Sequence, residues 1–91
     1  MIFVIPGPLR ELAGNRSEVR TNASAANVSE ALEMLWRDCP GVRDRVITER
    51  GELRPHVNIF VDGESIRHSG GLTTPTHPTS EIVILPALSG G

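Results

Sequence analysis

The sequence predicts an α+β domain: a mixed sheet of about five strands with one main helix packed across one face. Three observations predict it. Local signals along the chain run strand, strand, helix, strand, short strand, strand. The helix signal is capped and one-sided. The length, 91 residues, suits one domain. A chain of this size buries about 60–65% of its unfolded surface, enough for one sheet and a helix or two around a single core.

Ile2-Phe3-Val4-Ile5 is an apolar, β-favouring run stopped by Pro6-Gly7-Pro8, and reads as the first strand. The run is too uniform to say which residues face the core. Leu9 and Leu12 flank Arg10-Glu11, and Gly14-Asn15 is a turn signal. Residues 17–21 alternate weakly and can pair back as the second strand. Asn27 is a good N-cap with Glu30 three positions on, a capping-box arrangement with Asn in place of Ser or Thr. Val28, Ala31, Leu32 and Leu35 then follow at helical spacing as one apolar stripe. Pro40-Gly41 is expected to end this helix. Val42, Val46 and Ile47 suggest a short second helical turn, and Arg50-Gly51-Glu52 a polar loop. Val57-Asn58-Ile59-Phe60-Val61 reads as a strand and Asp62-Gly63 as a hairpin turn, with a short return strand over 64–67. Residues 69–79, rich in Gly, Thr and Pro, read as irregular. Residues 81–85 form the last strand, and 86–91 a flexible tail.

Composition narrows the function. Hydrophobic residues make up 38% and charged residues 22%, values of an ordinary globular chain. The net charge of −2 gives no basic patch to release counterions from nucleic acid. No apolar run approaches the roughly 20 residues of a membrane span. The apolar start runs straight into Pro6-Gly7-Pro8 without a basic leader, so a cytoplasmic protein is expected. All nine basic residues are arginine. The chain therefore offers no ε-amino group for Schiff-base or acyl-transfer chemistry, and no site for lysine-linked chains of itself.

The chemistry-bearing side chains are few. Cys39 stands alone, at the C-terminal end of the first helix, where the helix dipole disfavours a thiolate; it reads as a small, partly buried residue. His56, His68 and His77 have no metal-type spacing and read as surface residues, so no metal or bound cofactor is expected. There is no nucleophile elbow, and Gly70-Gly71 does not open a helix as a phosphate loop does. Trp36 is a core edge or a partner contact. If Val57, Ile59 and Val61 face the helix, alternation puts Asn58 and Phe60 on the open face of the sheet. A large apolar residue there is consistent with docking. Leu85, Pro86 and Leu88 extend that contact toward the tail, or cover the bottom of the core.

The last two residues, Gly90 and Gly91, follow a strand and a short hydrophobic tail. At a usual glycine frequency of about 7%, chance places two there in well under 1% of chains. A diglycine end has no Cβ, adopts almost any backbone conformation and threads a narrow channel. Its carbonyl carbon has no branched neighbour to hinder attack. Such a tail can be activated inside another protein's site.

The sequence resembles the ubiquitin-like sulfur carriers, a family that includes the small subunit of molybdopterin synthase, the thiamine-thiazole sulfur carrier and the actinobacterial carrier for cysteine synthesis. Three stretches carry the resemblance. Leu9-Arg10-Glu11-Leu12-Ala13-Gly14 is similar to the loop after the first strand in molybdopterin synthase small subunits. The block over 57–72 is similar to the cysteine-synthesis carrier. Ile82-Val83-Ile84-Leu85-Pro86-Ala87-Leu88-Ser89-Gly90-Gly91 matches the family's final strand and diglycine tail. Residues 73–79 match no pattern.

The resemblance implies a β-grasp fold and a carrier rather than an enzyme. An E1-like enzyme would use ATP to adenylate the Gly91 carboxylate, and a sulfur donor would displace AMP to leave a thiocarboxylate. The acceptor would be a cysteine synthase-like enzyme, with a metalloprotease releasing cysteine, or the molybdopterin synthase large subunit. Gly91 would carry the chemistry and Gly90 give access, with Phe60, Leu85 and Leu88 docking partners. A protein modifier whose tail is never thiolated is the rival of another class.

Overall fold

The structure, a computed structural model, describes residues 1–22 and 24–86. Five strands form one sheet: β1 (Ile2–Val4), β2 (Glu18–Arg20), β3 (Val57–Val61), β4 (Glu64–Ser65) and β5 (Glu81–Pro86). Their spatial order is β2-β1-β5-β3-β4. β1 and β5 are parallel and the other neighbours antiparallel, so the sheet is mixed, as expected. β5 occupies the centre although it comes last in sequence. Two helices, α1 (Val28–Asp38) and α2 (Pro40–Val46), cover one face.

α1 starts where the cap signal places it. Asn27 is extended (φ −151°, ψ 175°), and its Oδ1 accepts from the Glu30 N–H at 2.9 Å. Glu30 reaches back, accepting from the Ala26 N–H at 3.3 Å. That is one residue earlier than in the usual capping box. Val28, Ala31, Leu32 and Leu35 are buried, so the predicted stripe is the packed face. Each such Val or Leu contributes about 1.5–3 kcal/mol by leaving water.

α1 ends at Asp38, with Cys39 as its C-cap just before Pro40, as expected; the sequence did not show that Pro40 also opens the next helix. Cys39, at φ −133° and ψ 69°, breaks the helix. Pro40 then opens α2, because a proline at the first helical position gives up no hydrogen bond and has its φ preset. Gly41 lies inside α2, where Leu12 packs within 3.7 Å of the place a Cβ would occupy. The turn foreseen near Val46 is a seven-residue helix.

Gly7–Ala13 is also helical, a 3-10 segment where only a link was read. Gly14 and Asn15 close it, both in the left-handed region at φ 70° and 63°, with the Gly14 and Asn15 amides turned onto the Arg10 carbonyl. The β3–β4 hairpin turns on Asp62 and Gly63, both at positive φ. β4 is shorter than the predicted 64–67. Ser65 caps a 3-10 turn over Ile66–His68, its Oγ accepting from the Arg67 N–H at 3.3 Å.

The stretch 69–80, irregular apart from a 3-10 turn over Gly71–Thr73, is a strap fastened at named points. The Val28 N–H, at the start of α1, donates to the Thr74 carbonyl at 3.0 Å. The buried Thr76 hydroxyl donates to the Ala25 carbonyl at 2.8 Å, and its N–H to the Ala26 carbonyl at 3.2 Å. The first of these bonds satisfies an N–H that the start of a helix leaves open, and the other two hold the residues just before it. Phe3, Ile5, Leu32, Leu35, Ile59, Ile66, Ile82 and Ile84 are the largest of the fully buried apolar side chains in the core between sheet and helices. Among the described residues, no helix is long and apolar enough to cross a membrane.

Candidate functional site

The face of the sheet away from the helices is built by strand alternation. Val57, Ile59 and Val61 of β3 are buried, while Asn58 and Phe60 point the other way, as predicted. In β5, Ile82 and Ile84 face the core, leaving Val83 and Leu85 on the open face. Phe60 stands opposite Val83, and Val83 beside Val4 of β1. Val4, Val83 and Phe60 form an apolar row across the three central strands, all half-buried, with Ile2 beside it. Leu85, opposite Asn58, is 38% exposed and extends the apolar surface toward the end of β5.

Phe60 and Leu85, the predicted docking residues within the described chain, therefore share one surface. Ile2, Val4 and Val83 belong to it and were not singled out. Their runs are apolar throughout, so only the strand register shows which members turn outward. Pro86, read as the start of the tail, is the last residue of β5. Leu88, Gly90 and Gly91 lie outside the described residues.

β5 is fastened at both ends. At its start, the Asp62 N–H donates to the Glu81 carbonyl at 2.9 Å, and Asp62 Oδ1 accepts from the Glu81 N–H at 2.9 Å. Asp62 Oδ2 accepts from Ser80 Oγ at 3.1 Å, and Ser80 Oγ accepts from the His77 N–H at 2.9 Å. At the other end, β5 outruns β1: Leu85 and Pro86 pair only with Asn58 and Val57 of β3. Arg67 pins the start of β3, beside this end of β5. Its Nε donates to Asn58 Oδ1 at 3.1 Å, and its Nη2 to the carbonyls of Val57, Arg54 and Pro55 at 2.7, 3.1 and 3.2 Å. A planar guanidinium spreads several donors over fixed acceptors in this way, which an ammonium cannot match. Leu85 and Pro86 thus pair with a strand start that Arg67 holds.

The remaining reactive groups are placed for structure. Ser80 is 1% exposed and committed to Asp62. Cys39 is buried more deeply than expected. Arg16 Nη2 donates to its Sγ at 3.2 Å and Arg16 Nη1 to Asp38 Oδ2 at 3.1 Å. Burial pushes the Cys39 thiol up from its ordinary pKa despite the Arg16 charge, with Asp38 adding to the rise. His56, His68 and His77 are exposed. No three metal-ligating side chains converge among the described residues. Trp36 sits half-buried at the core edge, in a shallow groove with Leu32, Ile47 and Leu72.

Known proteins share both the sequence and this geometry. The ThiS family model matches residues 3–91. The sulfur carrier protein CysO of Mycobacterium tuberculosis is 34% identical over 89 residues, which is 96% of this chain and 94% of that one. A chain in the Amycolatopsis orientalis BexX/CysO complex superposes with a TM-score of 0.88 at 31% identity, covering 99% of this chain and 98% of its own. The small archaeal modifier protein SAMP1 of Haloferax volcanii gives a TM-score of 0.85 at 32% identity, covering 100% and 98%. The fold is the β-grasp. The chain belongs to the ThiS family of ubiquitin-like sulfur carriers, small proteins on which partner enzymes act rather than enzymes themselves.

Proposed function

We propose that this chain carries sulfur on the carboxylate of Gly91, for cysteine biosynthesis. The observation that carries the reading is the family match, which runs to residue 91 and so spans the diglycine. The central place of β5, whose last residues pair with β3 beside the apolar open face, supports it.

In this reading an E1-like enzyme docks on the open face through Phe60 and Leu85, with Leu88 beyond them. The Gly91 carboxylate attacks the α-phosphorus of ATP, giving an acyl-adenylate and releasing pyrophosphate. A sulfide-level donor attacks the acyl carbon, AMP leaves, and Gly91 is left as a thiocarboxylate. Its sulfur, a better nucleophile than the carboxylate oxygen, bonds to the β-carbon of an activated serine derivative held by a cysteine synthase-like enzyme and replaces that serine's leaving group. The resulting thioester passes its acyl group to the amino nitrogen, leaving cysteine amide-linked to Gly91. A metalloprotease then frees the cysteine. Gly90 lets the tail thread the activating site. The chain itself holds no cofactor, works in the cytoplasm, and leaves ATP to its partner.

Protein isolated from its native host should include a population heavier by the difference between sulfur and oxygen, located by fragmentation at Gly91 and lost when Gly91 is deleted. A mass change at Cys39, Met1 or Met34 would be oxidation and would count against the reading. The likeness to SAMP1 favours protein modification as the second reading, which predicts isopeptide adducts through Gly91 on other proteins. Copurification with a larger catalytic subunit would instead point to molybdopterin synthesis.

A further inference from the structure

Among the described residues, the edge of the sheet formed by β2 has no strand beyond it. Contacts to β1 fix which of its backbone groups face outward. The Ser17 carbonyl accepts from the Ile5 N–H at 2.8 Å, the Thr21 N–H donates to the Met1 carbonyl at 3.0 Å, and Val19 stands opposite Phe3. Hydrogen-bonded and non-hydrogen-bonded pairs alternate along an antiparallel ladder. Residues 17, 19 and 21 therefore turn their backbone groups toward β1. Glu18 and Arg20 turn theirs away, onto the free edge.

The side chains add a second constraint. Val19 is buried against the core, while Glu18 and Arg20 are exposed on the open face. They lie one residue to either side of Val19 and carry opposite charges. In an antiparallel pair centred on Val19, residue 18 of each copy stands opposite residue 20 of the other. The edge is thus complementary to itself in hydrogen bonding and in charge at the same register.

We propose that β2 pairs with β2 of a second copy of this chain, antiparallel about Val19, joining two sheets into one of ten strands. Glu18 of each copy exchanges two backbone hydrogen bonds with Arg20 of the second copy, four in all. The weak Glu18–Arg20 contact within one chain, 3.4 Å between exposed groups, gives way to two ion pairs across the junction. Both open faces end on the same side, so the two apolar rows remain available together. A mixed-sign edge offers no bias toward an acidic or a basic strand of another protein, which makes a second copy the best-matched occupant. Three residues bury far less than the roughly 1,200–2,000 Å² of a stable interface, so the dimer is weak and concentration-dependent. The pairing is independent of the tail chemistry.

Sedimentation velocity and amide exchange across a concentration series into the millimolar range test it. The wild type should shift from monomer toward dimer, less so in high salt. The Glu18 and Arg20 amides should gain protection with concentration while the Val19 amide, already bonded to β1, does not. The charge-reversed variants Glu18→Arg and Arg20→Glu should each fail to self-associate, because like charges then face each other twice. Mixed one to one, they should form a heterodimer, and the double variant E18R/R20E should dimerise like the wild type. Thermal melts confirm that all stay folded, since both side chains lie at the surface. A wild type that remains monomeric throughout, a single variant that still self-associates, or a mixture that does not recover pairing would overturn the proposal.

Discussion

The two faces of the central sheet use the same apolar residue types under different constraints. On the helix side, Phe3, Ile59, Ile82 and Ile84 are fully buried and fixed by the packing of α1 and α2. On the open side, Val4, Val83 and Phe60 sit half-buried with no layer of the described residues across them, and Leu85 is more exposed still. Aqueous exposure of an apolar row costs solubility and contributes little to folding. The open face is therefore where stability and function should separate on mutation.

The largest effect should come from breaking the helix side. Ile84→Ala leaves a cavity between β5 and the helices, and should cost about 2–5 kcal/mol in urea unfolding. Ile59→Ala, on the neighbouring strand, should fall in the same range. A loss below about 1 kcal/mol for either would mean that the core is less tightly packed than the burial implies.

Next comes the staple that ties the β3–β4 turn to the start of β5. Asp62→Ala takes the acceptors from the Glu81 N–H and the buried Ser80 hydroxyl, and places a Cβ-bearing residue at φ 51° without the side chain that favours it. A cost of about 1–3 kcal/mol is expected. Asp62→Asn should cost less, because asparagine tolerates the left-handed region and keeps a carbonyl acceptor. Equal losses for the two substitutions would show that charge, not geometry, matters at this site.

Phe60→Ala sharpens the comparison from the open side. Its effect on unfolding should stay near or below about 1 kcal/mol, well short of Ile59→Ala one residue away. If the open face docks the activating enzyme, the same change should lower kcat/KM for tail adenylation about tenfold, equivalent to about 1.4 kcal/mol. A pyrophosphate-release assay reads this directly. Full activity with intact stability would remove Phe60 from the docking surface.

How much of this was legible depends on whether the signal was local. The cap at Asn27 and the stripe from Val28 to Leu35 involve neighbours within a turn or two, and both stood in the sequence. The alternation of β3 did too, and it placed Phe60 on the correct face. Pro40 marked the end of α1 correctly, but the same residue also suits the start of a helix, and that second role was not read. The non-helical backbone of Cys39 follows from the proline after it, which disfavours the helical region for the residue it follows. The strap over 69–80 had no readable pattern, because its order comes from bonds such as that from Thr76 to Ala25, 51 residues apart. Val4 and Val83 were hidden in uniform runs until the register of β1 on β5 was known. Arg67 gave no signal, since its four acceptors, three of them backbone carbonyls, are brought together only by the fold.

The smallest expected effect lies on the buried side, at Cys39. Its thiol titrates higher in the folded chain than in the unfolded one, chiefly because burial disfavours the thiolate. The sign follows from proton counting. Below the unfolded thiol pKa, roughly 8.5, both states hold the proton and stability does not depend on this group. As pH rises past that value the unfolded chain releases its proton first, so unfolding is favoured and stability falls until the folded thiol ionises too. Denaturant melts between about pH 8 and 10 should therefore show a downward slope. Cys39→Ala should flatten it, at the expense of a lower baseline from the small cavity. The native thiol should also react slowly with a disulfide reagent in this range, because the thiolate is the attacking form. An equal slope in the alanine variant would place the alkaline sensitivity elsewhere in the chain. Fast labelling of the folded protein would mean that the Arg16 guanidinium, 3.2 Å from the sulfur, outweighs burial after all.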